Sequence, residues 1–364
     1  MALIVQKYGG SSLASPEKIR SIAERIVERF DSGDKLVIVV SATGDTTDRL
    51  RSKAFDLSGN PDHRELDMLV SIGERESISL MSIAINSIKP GLAQSFTGSQ
   101  IGLITDCNHQ NARILEIKGD RLKQSLEENH IPIIAGFQGV STKKEITTLG
   151  RGGSDTTAVA VTVALCADYC EIYSDVAGVH TTDPKIVPDA KLIKELNYNT
   201  MLEISSSGAK VLKNSAVEYA KRLNIKISTG HSSTGYIGTI ISNDILNKNK
   251  YTALVYNDKL FYSIHENEDF FSTDISQIKL LQSFENKRIK ITENVQTNSK
   301  PCYSLTIIGN GIKTDSELLK KMYDMIVKSN EIVATELSDL KFSVYLKKPL
   351  DQAVIDTIHS LFFD

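Results

Sequence analysis

The most informative segment of this sequence is Leu149-Gly150-Arg151-Gly152-Gly153-Ser154-Asp155-Thr156-Thr157. Small apolar residues follow it from Ala158 to Leu165, and we expect a helix whose first turn is capped by Ser154 or Asp155. Glycines let a backbone approach a ligand closely, and the first N–H groups of a helix attract anions. Arg151 can hold a carboxylate through two parallel hydrogen bonds. The segment is either an anion-binding loop or an ordinary glycine-rich helix start, and alone it does not separate the two.

A second glycine turn, Val5-Gln6-Lys7-Tyr8-Gly9-Gly10-Ser11-Ser12, lies near the N-terminus. Leu3-Ile4-Val5 indicates a buried strand before it, and Ser15-Pro16-Glu17 begins a helix after it. Lys7 and a group of backbone amides are therefore expected at the carboxyl end of a strand, where open α/β sheets bind ligands. The G-x-x-x-x-G-K-[ST] pattern of a P-loop is absent. A solvated lysine at the end of a strand is the alternative.

The composition is that of an ordinary globular protein with room for two domains. The chain has 364 residues, 41% hydrophobic and 24% charged, with a net charge of -3 at pH 7. It has no basic patch typical of nucleic-acid binding, no apolar run long enough for a bilayer and no secretory signal. We expect a cytoplasmic enzyme with neither nucleic acid nor membrane as a partner.

Cysteine and histidine spacing gives no indication of a metal site. The four cysteines follow no framework spacing, and the seven histidines form no H-E-x-x-H pattern. We expect reduced thiols and no metal ligands from the protein.

Strands and helices alternate through the first two thirds of the chain. Apolar runs predict strands at Lys35–Val40, Ile131–Ala135 and Tyr169–Tyr173, and apolar periodicity predicts helices at Glu65–Ala84 and Ser207–Leu223. This alternation favours an α/β fold with a mainly parallel sheet covered on both faces.

The pattern changes after a polar stretch from Asn243 to Lys250, which we interpret as a linker between domains 1–243 and 250–364. Residues 251–292 favour strands and one helix. The remainder is predicted as strand, helix, strand, strand and helix, an order typical of a ferredoxin-like α+β domain. These elements are Tyr303–Ile308, Ser316–Lys328, Glu331–Thr335, Phe342–Leu346 and Asp351–Leu361.

Several of these segments, in this order, resemble the aspartate kinases of the amino-acid kinase superfamily over residues 1 to about 240. The C-terminal part resembles, in shortened form, the paired ACT regulatory domains of that family. The shared motifs are Lys7-Tyr8-Gly9-Gly10-Ser11-Ser12, Val39-Val40-Ser41-Ala42-Thr43-Gly44, Ser71-Ile72-Gly73-Glu74, Gly136-Phe137-Gln138-Gly139, Gly150 to Thr157, and Tyr173-Ser174-Asp175-Val176-Ala177-Gly178-Val179 through Thr182-Asp183-Pro184.

The resemblance implies a three-layer αβα amino-acid kinase fold with a small ACT-like domain after it. It also implies the reaction ATP + L-aspartate → ADP + 4-phospho-L-aspartate, with Mg²⁺ accompanying ATP. Lysine and threonine biosynthesis, or a specialised pathway, would use the product. We expect a homodimer or higher homo-oligomer, joined through the ACT-like domain.

The same resemblance assigns roles to residues of the two glycine turns and their neighbours. Lys7 and Asp155 are expected at the reacting centre. Helix capping is the alternative role for Asp155. The residues implied in aspartate binding are Ser41, Thr47, Glu74, Arg151, Gly152, Gly153 and Ser154.

The resemblance places ATP beyond the strand that ends at Ser174-Asp175. Lys185 stands where the family often has arginine, and His180 where it often has tyrosine. For Lys210, contact with the nucleotide and a solvated position on a helix remain equal alternatives. The residues implied in ATP binding are Lys7, Gly9, Gly10, Ser174, Asp175, His180, Asp183, Lys185 and Lys210.

Two other functions remain possible at this point. The acceptor could be another acidic amino acid, or the chain could be a ligand-sensing subunit without activity. Because the ACT-like part is short, we also expect weak or absent inhibition by lysine or threonine.

Overall fold

The computed structural model describes residues 1–150, 152–209, 211–246, 249–266, 278–284, 287–296 and 298–364. They pack as two compact units. The first comprises Met1–Val179, Lys194–Tyr198 and Val211–Ile245. The second comprises His180–Ile193, Asn199–Lys210 and Leu246–Asp364, so it includes two stretches that precede the polar linker.

The elements before residue 246 are a mixture of strands and helices. The strands are β1 Leu3–Tyr8, β2 Lys35–Val40, β3 Ala93–Phe96, β4 Leu103–Thr105, β5 Ile114–Ile117, β6 Ile131–Ala135, β7 Gln138–Ser141, β8 Ile146–Thr148, β9 Tyr169–Ser174, β10 Glu195–Asn197, β11 Ile227–His231 and β12 Ile237–Ser242. The helices are α1 Pro16–Asp31, α2 Thr46–Leu57, α3 His63–Val70, α4 Ile72–Ile88, α5 Asp120–Glu127, α6 Gly153–Ala164, α7 Tyr198–Ser206 and α8 Asn214–Arg222.

The main sheet of the first unit has the strand order β10-β12-β11-β9-β1-β2-β6-β3. Its neighbouring strands run parallel except β11 and β12, which are antiparallel. A second, smaller sheet has the order β5-β4-β7-β8. The predicted mainly parallel sheet is thus confirmed, and β2 and β6 have the predicted bounds.

Because successive side chains of a strand alternate, the side chains of the central strands are divided between the two faces of the sheet. Ile4 and Tyr8 of β1, with Leu36 and Ile38 of β2, belong to one buried cluster with α1 and α4. Helix α6 contacts β1, β2 and β9 but contributes nothing to that cluster. It therefore covers the opposite face, to which Val5 and Lys7 point because successive side chains of a strand alternate.

Two predicted helices differ from the structure. The predicted helix Glu65–Ala84 is divided into α3 and α4 at Ser71, whose hydroxyl donates to Met68 O at 2.9 Å and whose carbonyl accepts from Gln138 Nε2 at 2.9 Å. These bonds compete with a continuous helical ladder. The predicted helix Ser207–Leu223 was wrong at its start, because Gly208 has φ +119° and the helix begins only at Asn214.

The elements of the second unit are β13 Tyr251–Glu266, β14 Ile278–Phe284, β15 Lys287–Thr292, β16 Lys300–Gly309, α9 Ser316–Val327, β17 Ile332–Leu337, β18 Lys341–Leu346 and α10 Gln352–Phe363. Its strands form an antiparallel sheet with the order β14-β15-β13-β16-β18-β17. Leu319 and Met322 of α9 and Ile358 of α10 pack into its apolar core.

The order strand, helix, strand, strand and helix predicted for residues 303–361 is confirmed by β16, α9, β17, β18 and α10, in keeping with an ACT-like domain. Within 251–292 the described residues form strands, and the helix expected there could fall only on 267–277, outside the described residues. Across the described part of the chain, no helix is long and apolar enough to cross a membrane.

Candidate active site

Lys7 and Asp155 form a buried ion pair where the two glycine turns meet. Lys7 lies near the carboxyl end of β1 and points to the face covered by α6, while Asp155 lies in the first turn of α6. The Lys7 Nζ–Asp155 Oδ1 distance is 2.6 Å, and the two residues are 9% and 6% exposed. Strand alternation and helix placement thus bring the two predicted catalytic residues together.

The glycine segment before α6 differs in one respect from the sequence prediction. Gly152, in the left-handed region at φ 78°, is the N-cap of α6, and no side chain caps this helix. Its carbonyl accepts from Asp155 N at 3.1 Å and from Thr156 N at 3.2 Å. The predicted capping by Ser154 or Asp155 is therefore wrong, and the Asp155 carboxylate faces Lys7 instead.

Other residues of this segment are also placed by the structure. Gly150 adopts φ +72°, its carbonyl accepts from Gly153 N at 3.1 Å, and Ser154 is buried. Arg151 lies outside the described residues, as does Lys210.

The N-terminal turn packs against the loop that follows β2. A side chain on Gly10 would place its Cβ 2.5 Å from Ala42 O, and Gly10 O accepts from Gly44 N at 3.0 Å. Lys7 Nζ lies 3.6 Å from where a Cβ of Gly9 would be. The Gly9 amide, expected to face a phosphoryl group, donates to Tyr173 O at 3.3 Å.

Glu74 approaches the same loop from the first turn of α4. It is 3% exposed, and its Oε1 accepts from Ala42 N at 3.1 Å. Its Oε2 is buried and has no hydrogen-bond partner among the described residues. Burial raises the pKa of this carboxyl from 4.5 to about 8. A buried acceptor left unpaired in this way fits a cationic ligand group.

The two predicted substrate hydroxyls lie on elements that flank this loop. Ser41 follows β2 directly, and its N–H donates to Tyr8 O at 3.1 Å, which ties the ends of β1 and β2 together. Thr47 lies in the first turn of α2. Both are half-buried. Ser41, Thr47 and Glu74 thus belong to segments joined at residues 41–47.

The residues predicted to bind ATP are divided between the two units. Ser174 ends β9 in the first unit, where its carbonyl accepts from Ser232 N at 2.8 Å, and Asp175 after it is exposed. His180, Asp183 and Lys185 belong to the second unit. There Asp183 Oδ1 accepts from Lys185 N at 2.9 Å and closes a turn. The nucleotide assignment stays a prediction.

Sequence reasoning overlooked Asp67, a fully buried carboxylate on α3. The available signal was an acidic residue at a position of α3 flanked by buried Leu66 and Val70. Among the residues that the structure describes, no three His, Cys, Asp or Glu side chains are grouped so that they could hold a metal ion.

Comparison with known proteins relates the chain to one family. A model of the amino acid kinase family matches residues 2–228. The aspartokinase of Mycolicibacterium smegmatis is 52% identical over 246 residues, which are 67% of this chain and 58% of that protein. That of Corynebacterium glutamicum is 51% identical over 243 residues, 66% of this chain and 58% of that protein. The chain thus spans less than two thirds of these relatives.

Solved structures show the same likeness. An aspartate kinase from Synechocystis matches with a TM-score of 0.61 and 32% identity, covering 99% of this chain and 68% of that one. Aspartokinase III of E. coli, in complex with aspartate and ADP, matches with a TM-score of 0.82 over the whole of both chains. At 21% identity the latter shows the fold alone.

The close approach at Gly10 predicts a difference between neighbouring glycines. Gly10→Ala should lower the free energy of unfolding by about 1–3 kcal/mol, because its Cβ would overlap the backbone oxygen of Ala42. Gly9→Ala is the matched control, since its Cβ would make only ordinary contacts. Denaturant unfolding of both variants measures the effect, and equal stabilities would contradict this packing.

The raised pKa of Glu74 predicts a pH-dependent stability for the ligand-free protein. The fold favours the neutral carboxyl, so its contribution is complete below pH 4.5 and is lost as the pH rises through about 8. Glu74→Gln should remove this loss, and its stability relative to the parent should grow between pH 5 and pH 8. Denaturant midpoints over that range test this, with exposed Glu76→Gln as the control. A constant difference would show that Glu74 is not buried as described.

Proposed function

The chain belongs to the amino acid kinase family, and we propose that it is an aspartate kinase, which transfers the γ-phosphoryl group of ATP to the side-chain carboxylate of L-aspartate. The observation that carries this proposal is the buried Lys7–Asp155 pair between the two glycine turns. The aspartokinase names of relatives about 50% identical over the same region support it.

The reaction requires little from the protein beyond positioning the two substrates and stabilising the charge that develops between them. The nucleophile is already ionised, since it is the carboxylate of the substrate, and no catalytic base is required. Catalysis then consists of aligning the acceptor with the γ-phosphoryl group and stabilising the charge that develops on it. Lys7 supplies the ammonium for that charge, and Asp155 fixes its position. Mg²⁺ bound with ATP would offset part of the negative charge on its phosphates.

The acceptor is held by its α-groups and by hydroxyls. Glu74 receives the α-ammonium on its unpaired Oε2, and the cation favours the ionised carboxylate over the neutral form. Arg151 holds the α-carboxylate, with the amides of Gly152 and Gly153 beside it. Ser41, Thr47 and Ser154 supply hydroxyls.

ATP occupies the part of the crevice beyond β9, near Ser174 and Asp175. Gly9 and Gly10 are assigned to its phosphates. His180, Asp183, Lys185 and Lys210 are assigned to nucleotide binding by the resemblance alone. These assignments follow from the family resemblance. Assembly into a homodimer or higher homo-oligomer is proposed on the same ground, and location in the cytoplasm is proposed from the composition of the chain.

Turnover tests the reaction and the role of Lys7 together. With ATP and Mg²⁺, the protein should release ADP and give a hydroxamate when the acyl phosphate of aspartate is trapped with hydroxylamine. Lys7→Met should lower kcat about 100- to 1,000-fold with little change in KM, because the ammonium acts mainly on developing charge. Lys35→Met, at the opposite end of the neighbouring strand, is the control.

Repeating the hydroxylamine assay with a panel of other acidic amino acids decides between the candidate functions. Hydroxamate from another acidic amino acid but not from aspartate would establish a different amino-acid kinase. Binding without ADP release would indicate a sensor subunit, and an unaltered kcat in Lys7→Met would refute the assigned role.

We also propose that regulation by end products is weak. The second unit holds a single antiparallel sheet of β13–β18 in the described ranges, and the resemblance to the paired ACT domains is to a shortened form. Inhibition curves with lysine and threonine, alone and together, should stay flat up to millimolar concentration. Strong inhibition below 1 mM would contradict this prediction.

A further inference from the structure

Asp67 accepts hydrogen bonds from the turn at residues 108–111 and from strand β8, on the acceptor side of the proposed site. Its side chain has no solvent exposure. His109 Nδ1 lies 2.6 Å from its Oδ2, and the backbone N–H of Gln110 donates to both oxygens at 3.2 Å. The Gln110 side-chain amide and the Thr148 hydroxyl also donate to Oδ1. A buried carboxylate needs such donors, so Asp67 fixes the groups that supply them.

The turn held by Asp67 supports the glycine segment before α6. Gly150 lies against it at φ +72°, and a Cβ there would be 3.0 Å from Asn111 Oδ1 and 3.1 Å from Gln110 O. Just before it, Thr148 O accepts from Ala112 N at 2.9 Å. The position of Gly150, and hence the start of Gly150–Gly153, depends on this turn.

Gln110 extends the same network to α2. Its side-chain amide donates to Asp67, while its Oε1 accepts from Arg51 Nη2 on α2. Helix α2 carries Thr47 in its first turn, and α3, which carries Asp67, is followed directly by α4 with Glu74. The three segments that present the proposed acceptor ligands are therefore linked at one carboxylate.

We propose that Asp67 is a positioning residue for the acceptor amino acid: it sets the distance between Glu74 and Gly150, where the glycine turn before α6 begins. It does not contact the substrate. The proposal rests on the proposed function in treating these segments as the acceptor site. It adds a residue whose effect should be confined to the acceptor and spare ATP.

Asp67→Asn tests this with almost no change in volume. The amide replaces one acceptor oxygen by a donor, which then faces other donors from His109, Gln110 or Thr148. We expect kcat/KM for aspartate to fall by about 10- to 100-fold, chiefly through KM, because displaced ligands bind the acceptor poorly. KM for ATP should stay within about twofold of the parent value, since it depends on other segments.

Asp62→Ala is the matched control on the same helix. Asp62 caps α3 by accepting from Arg64 N at 2.9 Å and Glu65 N at 3.2 Å, both within its own helix. Its removal should lower the melting temperature by about 2–4 °C. An equal rise of the aspartate KM in this control would show that any loss of stability has the same effect, and would overturn the proposal. An unchanged aspartate KM in Asp67→Asn would do so too.

Amide hydrogen exchange of the ligand-free protein separates this proposal from the proposed function. Asp67→Asn should speed exchange in peptides covering Leu149–Ser154 but not in those covering Gly9–Ser12, whatever the protein phosphorylates. Unaltered exchange in both would refute the positioning role even in an inactive protein. Should Asp67→Asn fail to fold, Gln110→Ala takes its place, because it removes only the link from Asp67 to Arg51 and is expected to shift the same two readouts.

Discussion

The Lys7–Asp155 ion pair is the interaction on which the rest of the site depends. Both charges are almost fully buried, so each depends on the other for compensation. Removing one member of such a pair leaves an unpaired buried charge, at a cost of about 3–5 kcal/mol. The pair also joins β1 to the first turn of α6, and with them the two glycine turns. An ammonium held in this way meets a phosphoryl group with little reorganisation.

Close backbone approach is the second constraint. A side chain is excluded at Gly10 because its Cβ would lie 2.5 Å from Ala42 O, and at Gly73 because its Cβ would lie 2.7 Å from Ala42 Cβ. The N-terminal turn and the start of α4 can therefore both reach the loop after β2. That packing buries Glu74 and raises its pKa, which prepares the carboxyl for a cationic partner. Geometry and electrostatics of the proposed acceptor site thus have one origin.

The sequence predicted a large part of the fold and the composition of the site. Strands such as Lys35–Val40 are continuous apolar runs, which need no tertiary information to be recognised. The helix beginning at Pro16 carries its own cap and first-turn proline. The break at Ser71 and the late start of α8 escaped prediction because they depend on Gln138 and on the backbone of Gly208, which local periodicity does not report.

By itself the sequence determined several central strands, the order of the elements after residue 303, the two glycine turns and the residue types gathered there, because these follow from periodicity and turn chemistry along the chain. Only the tertiary structure decided which groups meet. It left α6 uncapped by side chains and turned Asp155 towards Lys7, engaged the Gly9 amide with Tyr173 O, and placed Asp67 beneath the Gln110 turn. The contacts Lys7–Asp155, Gly9–Tyr173 and Asp67–Gln110 each join residues far apart in sequence. Sheet register and helix packing fix them, and neither can be determined from a local pattern.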